Sequence, residues 1–299
     1  MRRVLTNDEL LAGSSSLVAK LVERAAWKLP APTRRRTLRW RRQREFDSYL
    51  RAMMGPQFRA VSPEPAAPPE LVAQTSAMSE TDVVDAADPD GYFAGGYLGT
   101  LLFLKLLAKS GFNPRTAGAI LDFGCGAGKM IRLLRALGEV RLVGTDVNRA
   151  QIEWAEQNVP GVEFMVNRLE PPLELPDASF DLVYAASVFT HIPFELQDAW
   201  LAELRRVLRP GGYFLCTVAG DAHARRQLTP EQRDELNRTG RYALAATDAG
   251  VSYSTKITAS LDVFQTRAAV LEIWRRHFTV LDYVADPLGQ DNLVLQRPL

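Results

Sequence analysis

The nine residues ILDFGCGAG, numbered 120–128, carry more information about the fold than any other part of this 299-residue sequence. An apolar run typical of a buried strand leads into Gly124, Gly126 and Gly128, which permit a tight turn and close approach of a ligand to the backbone. A helix that begins after such a turn presents unpaired N–H groups. A turn that serves packing alone stays open as an alternative. The dinucleotide fingerprint needs its third glycine one position later, where the sequence has Lys129.

Apolar runs of strand length alternate with helical segments on both sides of this turn. Short buried strands that alternate with helices predict a parallel sheet covered on both faces. We expect strands at 119–123, 140–145, 162–166, 180–185, 213–218, 278–285 and 292–296, and helices at 97–109, 128–137, 149–158, 195–208 and 265–277.

Four further motifs follow the glycine-rich turn in a fixed order. Gly144-Thr-Asp146 ends the second strand, where an acidic side chain can accept the hydroxyls of a ribose. The others are SFDLVYAASVFTH at 179–191, LRRVLRPGGY at 204–213, and FTVL at 278–281 with QDNLVL at 290–295. Together the five motifs resemble the class I S-adenosylmethionine-dependent methyltransferases over residues 90–299. Within that family, VFTHI and QDNLVL resemble a branch often found near glycan or natural-product pathways.

This resemblance implies a fold and a cofactor. The fold is an α/β, Rossmann-like three-layer sandwich, with a seven-stranded, mostly parallel sheet, an antiparallel last strand and a helical N-terminal extension. The cofactor is S-adenosylmethionine. The residues that would bind it are Asp122, Gly124, Cys125, Gly126, Asp146, Val147, Asn167, Arg168 and Ala185.

The resemblance also gives these residues their roles. Asp122 and Gly124 match positions that hold the amino-acid portion of the cofactor, and Gly126 matches the close backbone approach. Asp146 matches the ribose-binding carboxylate, Val147 would pack on the adenine, and the backbone of Ala185 would lie near the methionine part. After the third strand the family often has an acidic residue that accepts from the adenine amino group. This chain has Asn167-Arg168 there, so an amide carbonyl or a backbone group would take that role.

The acceptor side is less well defined by the sequence. Methyl transfer needs mostly proximity and orientation, with a base for an incoming hydroxyl. His191 follows the fourth strand and is the candidate base, with turn packing as the alternative. We expect the acceptor to be a hydroxyl on a glycan or a small molecule, under a lid at 220–260. The candidate lining residues, with ordinary packing as the alternative for the aromatics, are Tyr92, Tyr97, His223 and Tyr253.

Charge divides the chain into segments that the total of +1 conceals. Residues 1–60 hold 14 Lys/Arg against 5 Asp/Glu, and residues 111–299 hold 20 against 23. We therefore predict a basic helical extension at 1–60, a Pro/Ala-rich linker at 61–89 and a methyltransferase domain at 90–299. Residues 34–44 hold seven arginines, and we expect them to form a solvated or packed helical face. A weak contact with an anionic surface and an oligomerisation arm stay open as alternatives, and nucleic acid is not expected as a partner.

Other features bound the function further. Two cysteines, with no metal-binding spacing, fit a reducing compartment and no metal site. We expect no transmembrane segment and no signal peptide. We therefore expect a cytoplasmic protein, with a peripheral position at the membrane surface as an alternative. The alternative functions are a nicotinamide-dependent oxidoreductase and a non-catalytic cofactor-binding module that acts through its basic N-terminal arm.

Overall fold

A computed structural model describes residues 25–26, 28–55, 58–62, 64–72, 88–245, 261–285 and 289–299 of the chain. Seven strands form one sheet in the order β3-β2-β1-β4-β5-β9-β8, and two more form a separate ladder. The strands are β1 (Ala119–Phe123), β2 (Arg141–Asp146), β3 (Glu163–Val166), β4 (Phe180–Ala185), β5 (Leu208–Val218), β6 (Arg241–Ala245), β7 (Leu261–Gln265), β8 (Thr279–Val284) and β9 (Asp291–Gln296).

The seven-stranded sheet confirms the predicted architecture. β1 to β5 pair in parallel, and β9 lies antiparallel between β5 and β8. Every residue of β1 is buried, as expected for a central strand with helices on both of its faces. The carboxyl ends of β1, β2 and β4 therefore meet at one edge of the sheet, where the glycine-rich turn begins.

Eight helices belong to the described residues: α1 (Ala31–Met54), α2 (Pro69–Val72), α3 (Pro89–Lys109), α4 (Arg149–Asn158), α5 (Phe194–Val207), α6 (Asp221–Gln227), α7 (Pro230–Thr239) and α8 (Arg267–Trp274). On one face of the sheet, α5 and α8 pack through large aromatic side chains. The Trp200 ring lies 4.7 Å from that of Phe123, and the Trp274 ring stacks on Phe214 at 6.0 Å. The other face is covered by α1 and α3, which together with it form a second hydrophobic cluster. The result is the three-layer arrangement that the motifs predict.

The two long helices of the second cluster each have a proline in the first turn, and α3 begins earlier than the 97–109 that the sequence predicts. Asp88 caps α3 by accepting from the backbone N–H groups of Asp90 and Gly91, and proline follows it at the start of the helix. α1 likewise carries a proline in its first turn. Proline is tolerated there because its missing N–H has no partner inside the helix. Pro32 is therefore compatible with the start of α1.

The N-terminal extension shares its core with the sheet domain. The buried side chains of α1, including Phe46 and Leu50, belong to the same cluster as Ile120 of β1 and Leu182 of β4. The predicted domain boundaries at 60 and 90 stay a prediction. Among the described residues, buried side chains of α1 and α3 belong to the same hydrophobic cluster. Within the described residues, α3 is long and apolar enough to cross a membrane by composition alone, and 72% of its most apolar window is buried in the protein.

Two other elements differ from the expected pattern. The helix predicted at 128–137 is a 3-10 helix over Ile131–Leu137. The Arg132 guanidinium donates to the carbonyls of Gly128 and Ala127 at 2.9 and 2.7 Å, so these carbonyls accept from a side chain. The lid predicted at 220–260 contains α6, α7 and β6, and β6 pairs antiparallel with β7, which begins just after the predicted lid. Residues 246–260 lie outside the described part of the chain.

Candidate cofactor and catalytic site

The glycine-rich turn is held against β2 by backbone hydrogen bonds. The N–H groups of Gly124 and Cys125 both donate to the Thr145 carbonyl, at 2.7 and 2.9 Å. Gly126 has φ +55°, and a Cβ there would lie 2.6 Å from Oε1 of Gln151 in α4. An L side chain at Gly126 would therefore be strained by the backbone conformation and would require the Gln151 side chain to shift. The turn keeps its backbone open at the carboxyl edge of the sheet.

Asp146 connects the end of β2 to this turn. Its Oδ2 accepts from the Gly126 N–H and its Oδ1 from the Asn148 N–H, both at 2.8 Å. A carboxylate has about four lone-pair directions, so acceptor capacity remains for the hydroxyls of a ribose. Burial raises the pKa of Asp146, while these backbone hydrogen bonds oppose the rise. Val147 follows it, half-buried at the same edge.

Asp122 is paired with a residue that sequence reasoning missed. The hydroxyl of Tyr184 donates to Asp122 Oδ2 at 2.7 Å, and Asp122 is 3% exposed. Burial raises the pKa of Asp122 to about 8, although the Tyr184 hydrogen bond acts in the opposite direction. The two residues are direct partners in the β1–β4 register. That register is a property of the folded sheet, so no local signal in the sequence pointed to Tyr184.

The side chain of Asn167 offers an acceptor oxygen, Oδ1, of the kind that would bind the adenine amino group. Its Nδ2 donates to the Arg168 carbonyl at 2.7 Å, and its own N–H donates to the Asp146 carbonyl at 3.0 Å. Its Oδ1 is buried and has no hydrogen-bond partner. A buried acceptor of this kind is costly unless something donates to it, and an exocyclic amino group would do so. The Arg168 side chain is exposed, so only its backbone takes part in this arrangement.

The segment after β4 bends back over the glycine-rich turn. Ala185 is fully buried at the end of the strand, and Ser187 has φ +58°, which is uncommon for a residue other than glycine. Val188 then packs over Gly124, where a Cβ would come within 2.3 Å of Val188 Cγ2. Ser187 is held by an N–H bond to Thr217 Oγ1 at 2.7 Å. The contact of Val188 with Gly124 explains why the turn needs glycine at position 124.

His191 is oriented by the lid ladder. Its Nδ1 lies 3.1 Å from the Leu261 carbonyl and 3.2 Å from Asp262 Oδ1. A carbonyl can only accept, so Nδ1 carries the hydrogen and Nε2 has the free lone pair in the neutral ring. Nε2 is buried and has no hydrogen-bond partner. The Val263 N–H donates to the Thr190 carbonyl at 2.8 Å, which fixes β7 beside this loop.

Asp262 is a second residue that sequence reasoning missed. It lies in β7, about 70 positions from His191 in the sequence, and only the pairing of β7 with the loop at residue 190 brings the two together. The arrangement of an imidazole with one nitrogen held by acceptors and the other free is that of an oriented general base.

The four candidate lining residues have different surroundings. Tyr92 is 4% exposed, and its hydroxyl has no hydrogen-bond partner. The centre of its ring lies 5.7 Å from Nζ of Lys129, so the ring packs next to the end of the glycine-rich turn. Tyr97 is 1% exposed and packs on Phe46 of α1 at 5.4 Å, which makes it a core residue in this structure. His223 bonds to the Gly289 carbonyl through Nδ1 at 2.8 Å. Tyr253 lies outside the described residues.

Comparisons with known proteins agree with this geometry. A family model described as "Methyltransferase domain" matches residues 121–216. The 27-O-demethylrifamycin SV methyltransferase of Amycolatopsis mediterranei is 33% identical over 111 residues, which are 34% of this chain and 39% of the relative. The fatty-acid O-methyltransferase of Mycolicibacterium smegmatis is 36% identical over 103 residues, covering 33% and 36%. The chain thus spans about two fifths of the length of these relatives.

Among solved structures, a Listeria monocytogenes protein assigned to the S-adenosylmethionine-dependent methyltransferases superposes with a TM-score of 0.50. The two chains share 14% identity, and the match covers 69% of this chain and 99% of the other. At that identity the likeness concerns the fold, and it agrees with the sheet order described above.

Proposed function

The described sheet domain belongs to the class I S-adenosylmethionine-dependent methyltransferase family, and on that premise we propose that this chain methylates a hydroxyl oxygen of a small-molecule or glycan acceptor. S-adenosylmethionine is the cofactor of the family. The comparisons favour neither a nicotinamide-dependent oxidoreductase nor a non-catalytic module. A cytoplasmic location remains part of the proposal, supported by two cysteines that are both free and buried.

The residues at the sheet edge fit the cofactor. Asp146 retains acceptor capacity for ribose hydroxyls after its two backbone bonds, and Asn167 Oδ1 is a buried acceptor without a donor. Tyr92 adds a buried hydroxyl without a partner beside the glycine-rich turn. When bound, the cofactor supplies a methyl group activated by attachment to a sulfonium. The unpartnered Asn167 acceptor is the observation that carries the cofactor assignment, because a polar atom is rarely buried unpaired without reason.

The proposed role of His191 is to remove the proton of the acceptor hydroxyl. Nε2 would take that proton as the oxygen attacks the methyl carbon, and the resulting imidazolium would be stabilised by Asp262 next to Nδ1. The protein otherwise contributes orientation, as in-line displacement requires. Two of the relatives are named for O-methyl chemistry, on a rifamycin and on a fatty acid, which supports an oxygen as the acceptor atom.

Binding of S-adenosylhomocysteine, the form of the cofactor left after methyl transfer, tests the cofactor assignment first. Calorimetry with the full chain and S-adenosylhomocysteine should show binding, and Asp146→Ala should weaken it at least about 100-fold, since two hydrogen bonds to a charged acceptor are lost. Asp234→Ala, which removes an exposed carboxylate from α7, is the matched control and should bind like the wild type. No heat with S-adenosylhomocysteine or S-adenosylmethionine would overturn the proposal.

Transfer to acceptors tests the second half of the proposal. Radiolabelled methyl transfer is measured against a panel of polyketide, sugar and fatty-acid acceptors, each compared with the same compound in which the hydroxyl is replaced by hydrogen. Transfer that depends on the hydroxyl and is lost in His191→Gln supports O-methylation by an oriented base. Transfer to nitrogen or carbon instead would contradict the choice of acceptor atom and leave the cofactor assignment intact.

A further inference from the structure

The arginines of α1 fall into two groups with different surroundings. Arg35 and Arg39 turn towards the body of the protein and pair with the acidic start of α3. Arg35 lies 3.3 Å from Asp88, and Arg39 lies 2.9 Å from Asp90. These two side chains fasten α1 to the sheet domain and are engaged there.

The opposite side of α1 carries a ridge made of Arg36, Trp40 and Arg44. Residues four apart lie one above the other on a helix, so Arg36 and Arg44 are the neighbours of Trp40 along this face. Trp40 is 58% exposed, and the Arg44 guanidinium carbon lies 4.7 Å from the centre of its ring. Among the described residues, neither Arg36 nor Arg44 has an ion-pair partner.

The Arg–Trp ridge is held in a fixed orientation. On the inner side of α1, Leu50 is fully buried, Phe46 packs on Tyr97 at 5.4 Å, and Glu45 pairs with Lys105 of α3 at 3.2 Å. The ridge therefore does not have to be ordered before it binds something, which lowers the entropic cost of a contact.

We propose that the Arg–Trp ridge docks this protein on the surface of an anionic phospholipid bilayer. Guanidinium groups attract anionic headgroups, and an exposed tryptophan prefers the boundary between headgroups and acyl chains. The acidic residues of the same helix offer little competition, since Glu45 is paired with Lys105 and Asp47 is partly buried. The ridge thus combines the two interactions that a membrane-surface site requires.

A bilayer suits the ridge better than a nucleic acid does. A duplex needs an extended basic footprint to neutralise several phosphates, whereas the ridge is three side chains long. Residues 111–299 hold 20 basic against 23 acidic residues, so a polyanion that extended beyond α1 would gain nothing from their net charge. This inference is independent of the proposed methyl transfer, because it concerns only where the protein lies.

Vesicle sedimentation with the full chain tests the inference. The protein should sediment with vesicles of phosphatidylcholine and phosphatidylglycerol at low salt, should not do so with phosphatidylcholine alone, and should be released by high salt. Arg36→Gln/Arg44→Gln should weaken binding about 25-fold, at about fivefold for each arginine. Trp40→Ala should also weaken it, and subtraction of the Trp40→Phe spectrum should show a blue shift of the Trp40 emission on binding.

The matched control removes the same charge from the other face of the sheet. Arg205→Gln/Arg275→Gln alters exposed arginines of α5 and of the segment after α8, and it should bind vesicles like the wild type. Thermal unfolding of each variant checks that the fold is intact. Equal binding to neutral vesicles, equal loss in both double variants, or binding to an oligonucleotide duplex without binding to vesicles would each overturn the inference.

Discussion

Removal of the Asn167 side-chain amide should separate cofactor affinity from protein stability. In Asn167→Ala the free protein loses only the exposed Nδ2 bond to the Arg168 carbonyl and is relieved of a buried acceptor without a partner. The free energy of unfolding should therefore change by no more than about 0.5 kcal/mol. A thermal midpoint within about 2 °C of the wild type is expected on that basis.

The bound state should respond much more strongly. Without Oδ1, the adenine amino group would be left without its acceptor, and an unmatched buried donor costs about 1–3 kcal/mol. Because Asn167 is half-buried, a value in the lower half of that range is expected, which is about tenfold in the dissociation constant of S-adenosylhomocysteine. Calorimetry measures this directly and needs no knowledge of the acceptor.

A second ligand makes the measurement specific to one atom. An S-adenosylhomocysteine analogue with purine in place of adenine lacks the amino group, so it should bind wild type and Asn167→Ala equally. Asn158→Ala is the matched control, since Asn158 also donates from Nδ2 to a backbone carbonyl, that of Trp154 at 2.8 Å. The reasoning is refuted if Asn167→Ala binds S-adenosylhomocysteine like the wild type, or if it weakens both ligands to the same extent.

Three further predictions follow from the same site. His191→Gln should lower the methyl-transfer rate by about 100-fold or more, and Asp262→Asn, which keeps an acceptor but removes the charge, by about tenfold at unchanged S-adenosylhomocysteine affinity. Gly126→Ala should reduce S-adenosylhomocysteine binding and cost about 1–2 kcal/mol in urea unfolding, since its Cβ would lie 2.6 Å from Gln151 Oε1. Burial raises the pKa of Asp122 from 3.8 to about 8, so between these pH values the folded protein holds a proton that the unfolded chain has released. The free energy of unfolding should therefore fall as pH rises through this window. Asp122→Asn should make this pH dependence weaker in urea unfolding.

The His191 and Gly126 predictions each have a control variant, and all three predictions have a contradicting result. His277→Gln removes an imidazole whose Nε2 pairs with Asp198, and it should not slow transfer; an active His191→Gln would exclude the general base. Gly95→Ala fills open space in α3 and should be neutral or stabilising. A Gly126→Ala protein as stable and as tightly binding as the wild type would show that the turn accepts a side chain. An unchanged pH slope in Asp122→Asn would mean that another group titrates there.

The fold was predictable because its signals are local. The glycine-rich turn, the alternation of apolar strands with helices, and the QDNLVL ending each lie in a few consecutive residues. The alternation predicted a parallel sheet, and the family resemblance carried by these motifs implied the seven strands and the antiparallel last strand that the structure has. The grouping of Gly126 with Asp146 was also foreseeable, since parallel neighbouring strands end at the same edge. The hydrogen bond between them at 2.8 Å brings these two residues together.

The partners of the site residues were not predictable in the same way. Tyr184 was passed over as part of an apolar strand, and its bond to Asp122 depends on the β1–β4 register. Asp262 lies just beyond the predicted lid at 220–260, and it meets His191 only through the position of β7 beside the loop at residue 190. Tyr97 resembled a lining residue in the sequence, but the packing of α1 on α3 buries it.

The sequence by itself determined the architecture and, through the family resemblance, the cofactor and the edge of the sheet at which we propose that it binds. Hydrophobic periodicity and the positive φ of a glycine are conditions that a few neighbouring residues meet on their own. Only the tertiary structure decided which polar atoms satisfy one another, which remain unpaired, and which side of the basic helix α1 faces solvent. Those outcomes depend on segments far apart in the chain that become neighbours when the core closes, as Asp262 does with His191.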